Sequence, residues 1–193
     1  MTGSGDRTAV LERALRTLIR DVPDFPQPGV VFKDITPLLA DHDAFTAVVE
    51  ALADTGRGDD GKPVVDKVVG MEARGFILAA PVALALGAGF VPVRKVGKLP
   101  GATHVESYAL EYGEATLEMH QDAVEAGDRV LVVDDVLATG GTVAATRRLV
   151  ETCGGTVTGI AVLLELDFLG GREAVGNDLP LHSLATVSAE AEA

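Results

Sequence analysis

The spacing of apolar residues changes partway along this chain, and the change separates two kinds of element. Over residues 8–20, Leu11, Ala14, Leu15, Leu18 and Ile19 fall at i, i+3, i+4, i+7 and i+8, which predicts a helix with one apolar stripe. DVPDFPQPGVVFKDITP follows, with four prolines and a glycine, and predicts ordered but irregular chain. Phe45, Val48, Val49 and Leu52 form a second helical stripe, with Asp41 or Asp43 as candidate N-cap. TGRGDDGKP reads as a loop. From Val64 onward, short β-branched runs alternate with helical stretches. VVDKVVG predicts a buried strand, and MEARGF leads into an Ala/Leu-rich helix ending at Leu86. Pro81 inside that pattern predicts a kink or a later start. FVPVRK predicts a strand despite Pro92. SYALEYGEATLEMH alternates on both sides of a Tyr-Gly-Glu turn, as a β-hairpin does. RVLVVDD is an unbroken apolar run ending in two carboxylates, the kind found in sheets covered on both faces. A helix over 142–153, a strand over 156–166 and a last strand in LHSLAT complete the pattern. Strand, helix, strand with glycine-rich joints predicts an α/β fold, a doubly wound, mainly parallel β-sheet flanked by helices.

Composition narrows this. The 193 residues fit one domain, with no internal repeat and no linker. Hydrophobic residues are 47% but aromatics only 4%, without Trp, so the core rests on Val, Leu, Ile and Ala. No apolar run approaches the ~20 residues that span a bilayer. MTGSGDRTAV lacks the basic-then-apolar pattern of a secretory signal. The single cysteine, Cys153, cannot form an internal disulfide and suits a reducing, cytoplasmic setting, as a small apolar residue near a helix end. His42, His104, His120 and His182 show neither ligand spacing nor a nearby nucleophile.

Charge decides where to look for chemistry. The net charge is −13, from 16 Lys and Arg against 29 Asp and Glu. Such a surface repels nucleic acid and anionic membranes, so neither is an expected partner. A phosphate-bearing ligand must therefore meet a local group of cations or backbone donors. RVLVVDDVLATGGT offers one. Asp134 and Asp135 close a strand, and Ala138, Thr139, Gly140, Gly141 and Thr142 lead into a helix whose first N–H groups can cradle a phosphate. No Lys follows the glycines, so this is not a P-loop. Two carboxylates beside a phosphate must bind something else nearby, either vicinal hydroxyls or a divalent cation. A ligand joining a phosphate to a diol is a ribose 5-phosphate.

VLVVDDVLATGGT resembles the thirteen-residue signature of the type I phosphoribosyltransferases, which use 5-phosphoribosyl-1-pyrophosphate (PRPP). DFPQPGVVFKDITPLL, GMEARGF, RKVGKLPG and SYALEYG resemble, in that order, segments of the adenine-using members, and the likeness runs from about Asp24 to Leu169. It implies a type I phosphoribosyltransferase-like domain with a small N-terminal hood (about 1–37) and a mobile β-hairpin lid (about 97–118). The implied reaction is Mg²⁺-dependent transfer of 5-phosphoribosyl from PRPP to N9 of adenine, giving AMP and pyrophosphate. Ala138–Thr142 would hold the 5′-phosphate, and Asp134 and Asp135 the ribose hydroxyls. Arg74, Arg94, Lys95 and Lys98 would meet pyrophosphate, together with the loop at Glu72 and Ala73, which the family often builds on a cis peptide. The lid residues would be Glu111, as acid/base group, and Tyr112. Phe32 would stack on the purine, with backbone groups of Val31 and Lys33 at its edge, whereas Phe25 is a packing residue. No protein cage for a metal is visible, so PRPP and water would carry the Mg²⁺. The resemblance also implies a homodimer. Two other readings stand beside it: a phosphoribosyltransferase for hypoxanthine, guanine, xanthine or orotate, and a non-catalytic PRPP-binding regulator. A receiver-type phospho-acceptor is disfavoured, because receivers carry their acidic pair on an early strand with no glycine-rich loop after it.

Overall fold

In a computed structural model describing residues 4–109 and 114–189, the chain divides into two units, Met1–Ala51 and Leu52–Ala193. Side chains are described from residue 7 onward. Glu111 and Tyr112 lie outside the described residues.

In the first unit, helix α1 spans Ser4–Thr17, and Thr17 Oγ1 donates to the Arg13 carbonyl at 2.8 Å in its last turn. The predicted helix reached residue 20. Instead the chain turns into strand β1 (Arg20–Val22), antiparallel to β2 (Phe32–Asp34). Electrostatics explains this ribbon within the proline-rich segment. Arg20 lies opposite Asp34 and Asp21 opposite Lys33, and both couples close as ion pairs, at 2.6 and 2.9 Å. Thr36 first, and Arg20 after it, hold the Asp34 carboxyl down to about 2. Helix α2 (Thr36–Ala40) follows, with Pro37 in its first turn, where no N–H is needed. Helix α3 (His42–Asp54), whose last turn belongs to the second unit, has its cap in Asp41, whose Oδ1 accepts the Ala44 N–H at 2.9 Å. Asp41, not Asp43, is therefore the cap.

In the second unit, seven strands form one sheet in the order β5-β6-β4-β3-β7-β8-β9. They are β3 (Lys67–Met71), β4 (Gly89–Lys95), β5 (Thr103–Ala109), β6 (Glu114–His120), β7 (Arg129–Leu137), β8 (Thr156–Leu166) and β9 (Leu181–Val187). β4, β3, β7, β8 and β9 are parallel, and β6 is antiparallel to both β4 and β5. Pro92 is tolerated because β6 pairs with β4 only at Arg94 and Lys95, which leaves that side of Pro92 without a ladder. Helix α4 (Arg74–Leu86) begins at Arg74 and runs through Pro81, so the proline is interior, not at a delayed start. Helix α5 (Gly141–Thr152) joins β7 to β8, and Cys153 caps its end half-buried, its thiol pushed up by burial. A 3₁₀ turn (Asp167–Leu169) and the short helix α6 (Gly171–Val175) precede β9, and the periodicity predicts neither.

Alternation explains why both faces of this sheet are covered. Val69, Met71, Val91, Val93, Val130 and Val132 join Val143, Leu149 and Val150 of α5 in one core. The intervening positions serve the other face, where a side chain at Gly70 would lie 2.6 Å from Ala79 of α4. From β3 the chain steps through α4 to β4 on one side. From β7 it steps through α5 to β8 on the other. The order reverses between β3 and β7, and the carboxyl ends of strands flanking such a point are where α/β sheets bind ligands.

Candidate active site

Three neighbouring parallel strands, β4, β3 and β7, deliver the residues predicted for the phosphate, ribose and pyrophosphate to one end of the sheet. β7 runs two residues past the predicted strand end, so Asp134 and Asp135 lie inside it and are 9% and 6% exposed. Asp134 Oδ1 accepts the Asp135 N–H at 2.9 Å, and a side chain at Gly75 would come within 2.6 Å of that oxygen. Glycine in the first turn of α4 thus lets the helix start close over the carboxyl. Arg74 Nε stands 2.6 Å from Asp135 Oδ2.

Ala138, Thr139 and Gly140 form the turn out of β7, and α5 starts at Gly141. Gly140 has φ +80°, which a side chain would strain, and it admits no side chain for a second reason. A Cβ there would meet the Gly171 carbonyl oxygen at 2.4 Å. A Cβ on Gly171 would in turn meet the Ala138 carbonyl oxygen at 2.1 Å. The turn is therefore moulded against the start of α6. That helix is fastened by Arg172, which donates to buried Glu165 at 2.9 and 2.5 Å and to the Leu181 carbonyl at 3.0 Å. Ser183 adds a bond to Glu165 at 2.8 Å. Sequence reasoning missed this backing layer, whose only signal was a further Gly-Gly pair at 170–171.

The predicted cations are gathered by carboxylates. Glu72, in the β3–α4 turn, accepts from Lys98 Nζ at 2.7 Å, Arg94 Nε at 3.1 Å and the Lys95 N–H at 3.2 Å. Burial works hardest on its carboxyl and would raise it, yet these donors together hold it below the ordinary value. The Glu72–Ala73 peptide is cis, as the resemblance implied. Glu118 of β6 is buried and accepts the N–H groups of Lys98 and Leu99, each at 2.7 Å. Burial again opposes, but these donors keep it ionised. The Lys95 side chain is exposed. The hairpin contributes Tyr108, whose hydroxyl is 2.8 Å from Thr142 Oγ1. Neither Glu118 nor Tyr108 was singled out from sequence. The hood residues Val31, Phe32 and Lys33 belong to the first unit, where Phe25 packs edge-on to Phe32 at 5.1 Å between centroids. Phe25 is itself 51% exposed, so it is less of a core residue than its sequence suggested.

Asp134 yields a prediction. Burial first, and the Asp135 charge second, push its carboxyl well above the ordinary 3.8. A group that holds its proton more tightly folded than unfolded makes the fold lose stability as pH rises from the unfolded value to the folded one. Asp134→Asn keeps an acceptor for the Asp135 N–H and removes the charge. The ligand-free variant should exceed the parent in stability by about 1–3 kcal/mol at pH 8, with the gain nearly gone at pH 4. Urea denaturation at both pH values checks this, and a less stable variant at pH 8 would refute it.

Comparison with known proteins decides the family. Residues 37–175 match the phosphoribosyl transferase domain family. The adenine phosphoribosyltransferase of a Nocardioides species is 68% identical over 187 residues, covering 97% of this chain and 100% of its own. This chain belongs to the adenine phosphoribosyltransferases. The crystal structure of adenine phosphoribosyltransferase from Rhodothermus marinus has the same fold, with a TM-score of 0.86 at 52% identity over 93% of this chain and 99% of that one. The enzyme from Saccharomyces cerevisiae matches with a TM-score of 0.85 at 36% identity, over 92% of this chain and 99% of its own. Its crystals hold adenine together with an imino-altritol bisphosphate. In this adenine phosphoribosyltransferase family member, the Ala138–Thr142 turn, the acidic pair and the Glu72-bound cations stand on adjacent strand ends. Among the described residues no helix is long and apolar enough to cross a membrane.

Proposed function

We propose that this chain transfers the 5-phosphoribosyl group of PRPP to N9 of adenine, forming AMP and releasing pyrophosphate. The observation that carries the reading is the placement of an anion cradle, two buried carboxylates and a cation group on three adjacent strand ends. Ala138, Thr139, Gly140, Gly141 and Thr142 hold the 5′-phosphate through backbone N–H groups and hydroxyls. Asp134 and Asp135 accept from the ribose hydroxyls, which sets C1′ between pyrophosphate and base. Arg74, Arg94, Lys95 and Lys98, with the Glu72–Ala73 turn, meet the pyrophosphate. As the C1′–oxygen bond breaks, its electrons pass to pyrophosphate, where these cations stabilise the growing charge. The C1′–N9 bond forms from the other side, and the proton on the adenine imidazole ring leaves to a base. Glu111 takes that role, with Tyr112 beside it in the sequence, and the support for both is resemblance. Phe32 offers an aromatic face to the purine, and backbone groups of Val31 and Lys33 read its edge.

Charge balance supports Mg²⁺. Arg74, Arg94, Lys95 and Lys98 are largely offset by Glu72, Glu118 and Asp135, while burial and the Asp135 charge bias Asp134 toward its neutral form, so little positive charge is left for a diphosphate. Among the described residues no three His, Cys, Asp or Glu side chains cluster as metal ligands. A diphosphate next to a diol is itself a chelator, so the ion fits best as one that arrives on PRPP. When bound, it supplies Lewis-acid stabilisation of the leaving diphosphate. We further assign a homodimer and a cytoplasmic location. Ile77 and Leu84, two turns apart on α4, are 44% and 83% exposed, and Phe90 is 37% exposed, an apolar surface suited to a second copy. The free thiol of Cys153 suits a reducing compartment.

The test is direct. With PRPP, adenine and Mg²⁺ the chain should yield AMP and pyrophosphate in equal amounts, and EDTA should stop both. PRPP binding without any AMP would favour the regulator.

A further inference from the structure

We propose that Tyr108 is a positioning residue for the 5′-phosphate, acting through the hydroxyl of Thr142. The inference rests on the cradle reading above and adds a residue outside that loop. Glu106 and Tyr108 are two apart on β5, so their side chains leave the strand on one face, and both reach α5. Glu106 pairs with Arg148, and the Tyr108 hydroxyl lies 2.8 Å from Thr142 Oγ1. Packing shows that the contact is built into the loop. A side chain at Gly141 would strike the Tyr108 ring, 2.6 Å from Cδ2 and 3.0 Å from Cε2. Glycine at the first position of α5 thus admits the ring against the backbone that faces the phosphate.

Hydroxyl chemistry sets the direction of the bond. A phenol is a stronger acid than an alcohol, hence the better donor, and Thr142 can both accept and donate. With Tyr108 donating to Thr142 Oγ1, the Thr142 proton is left for the anion. A hydroxyl hydrogen that would otherwise rotate among its staggered positions is then aimed before the ligand arrives. Two hydroxyls in series polarise one another, which strengthens the terminal bond to a phosphate oxygen. The ring also shields the loop from water at Gly141. Pyrophosphate and adenine lack the 5′-phosphate, so Tyr108 does not touch their affinity.

The experiment compares Tyr108→Phe, Thr142→Val and the double variant by calorimetric titration with AMP, using pyrophosphate and adenine as comparators. Phe keeps the ring packing and removes only the hydroxyl. Tyr108→Phe should weaken AMP binding roughly fivefold to tenfold, with pyrophosphate and adenine affinities and thermal stability unchanged. Thr142→Val should weaken AMP binding at least as much, and adding Tyr108→Phe to it should cost nothing more. Parent-like AMP affinity for Tyr108→Phe overturns the proposal, as do fully additive losses or an equal loss for pyrophosphate. If Thr142→Val itself leaves AMP binding intact, the cradle reading fails, and the proposal falls with it. If Thr142→Val weakens AMP and Tyr108→Phe does not, the cradle reading stands and only the role of Tyr108 is refuted.

Discussion

Asp135→Asn should lower kcat/KM by roughly 10²- to 10³-fold, the value of two charge-assisted hydrogen bonds to the ribose hydroxyls. The substitution is isosteric, so the loss is one of charge. An amide is a weaker acceptor than a carboxylate, and it presents an N–H where a hydroxyl proton should be received. Asp135 also holds Arg74 at 2.6 Å, and removing one partner of a buried ion pair can cost 3–5 kcal/mol. That penalty does not apply in full here. The Arg74 side chain is 34% exposed, so its cation can be rehydrated after the change. Circular dichroism and the denaturation midpoint should therefore stay close to the parent while turnover collapses. Parent-like turnover would remove Asp135 from the site.

Gly171→Ala should also be damaging although residue 171 touches no reacting atom. Its Cβ would stand 2.1 Å from the Ala138 carbonyl oxygen and 3.0 Å from the Ala138 carbonyl carbon, and these are backbone atoms that no rotamer change can move aside. Either the cradle or α6 must shift. Arg172, bonded to Glu165 and to the Leu181 carbonyl, resists movement of α6. The cradle should yield, so KM for PRPP should rise at least tenfold, since small displacements of a positioning loop cost about that or more. Overpacking should cost about 1–3 kcal/mol of stability as well. The discriminating readout is adenine affinity, which should change much less than that of PRPP. Unaltered PRPP kinetics would mean that α6 does not back the loop.

Those two residues show where sequence is informative. Asp135 was legible because RVLVVDDVLATGGT combines an apolar strand, an acidic pair and small residues within one local stretch. β3, β8 and α5 were legible for a similar reason: continuous burial on both faces leaves an unbroken apolar run, and burial on one face leaves a stripe. Gly171 was not, because its reason for being glycine is the backbone of residue 138, brought to it by the fold. Glu72 and Glu118 illustrate the same limit. Their donors within RKVGKLPG lie 19–26 residues away in the chain, so that segment reads as a cation-rich loop with no sign of the carboxylates that gather it. The β1–β2 ribbon is held by two cross-strand ion pairs instead of an apolar face, so hydrophobic period could not reveal it. α6 spans only five residues, too few for a periodic stripe.

The central claim is that this site joins PRPP to adenine in preference to other bases. The direct measurement offers adenine, hypoxanthine, guanine, xanthine and orotate separately, with PRPP and Mg²⁺, and follows pyrophosphate release. The account predicts kcat/KM for adenine at least 10³-fold above every other base, as a site built around hydrogen bonds to one edge discriminates against bases lacking them. A higher kcat/KM with any of the other four would contradict it.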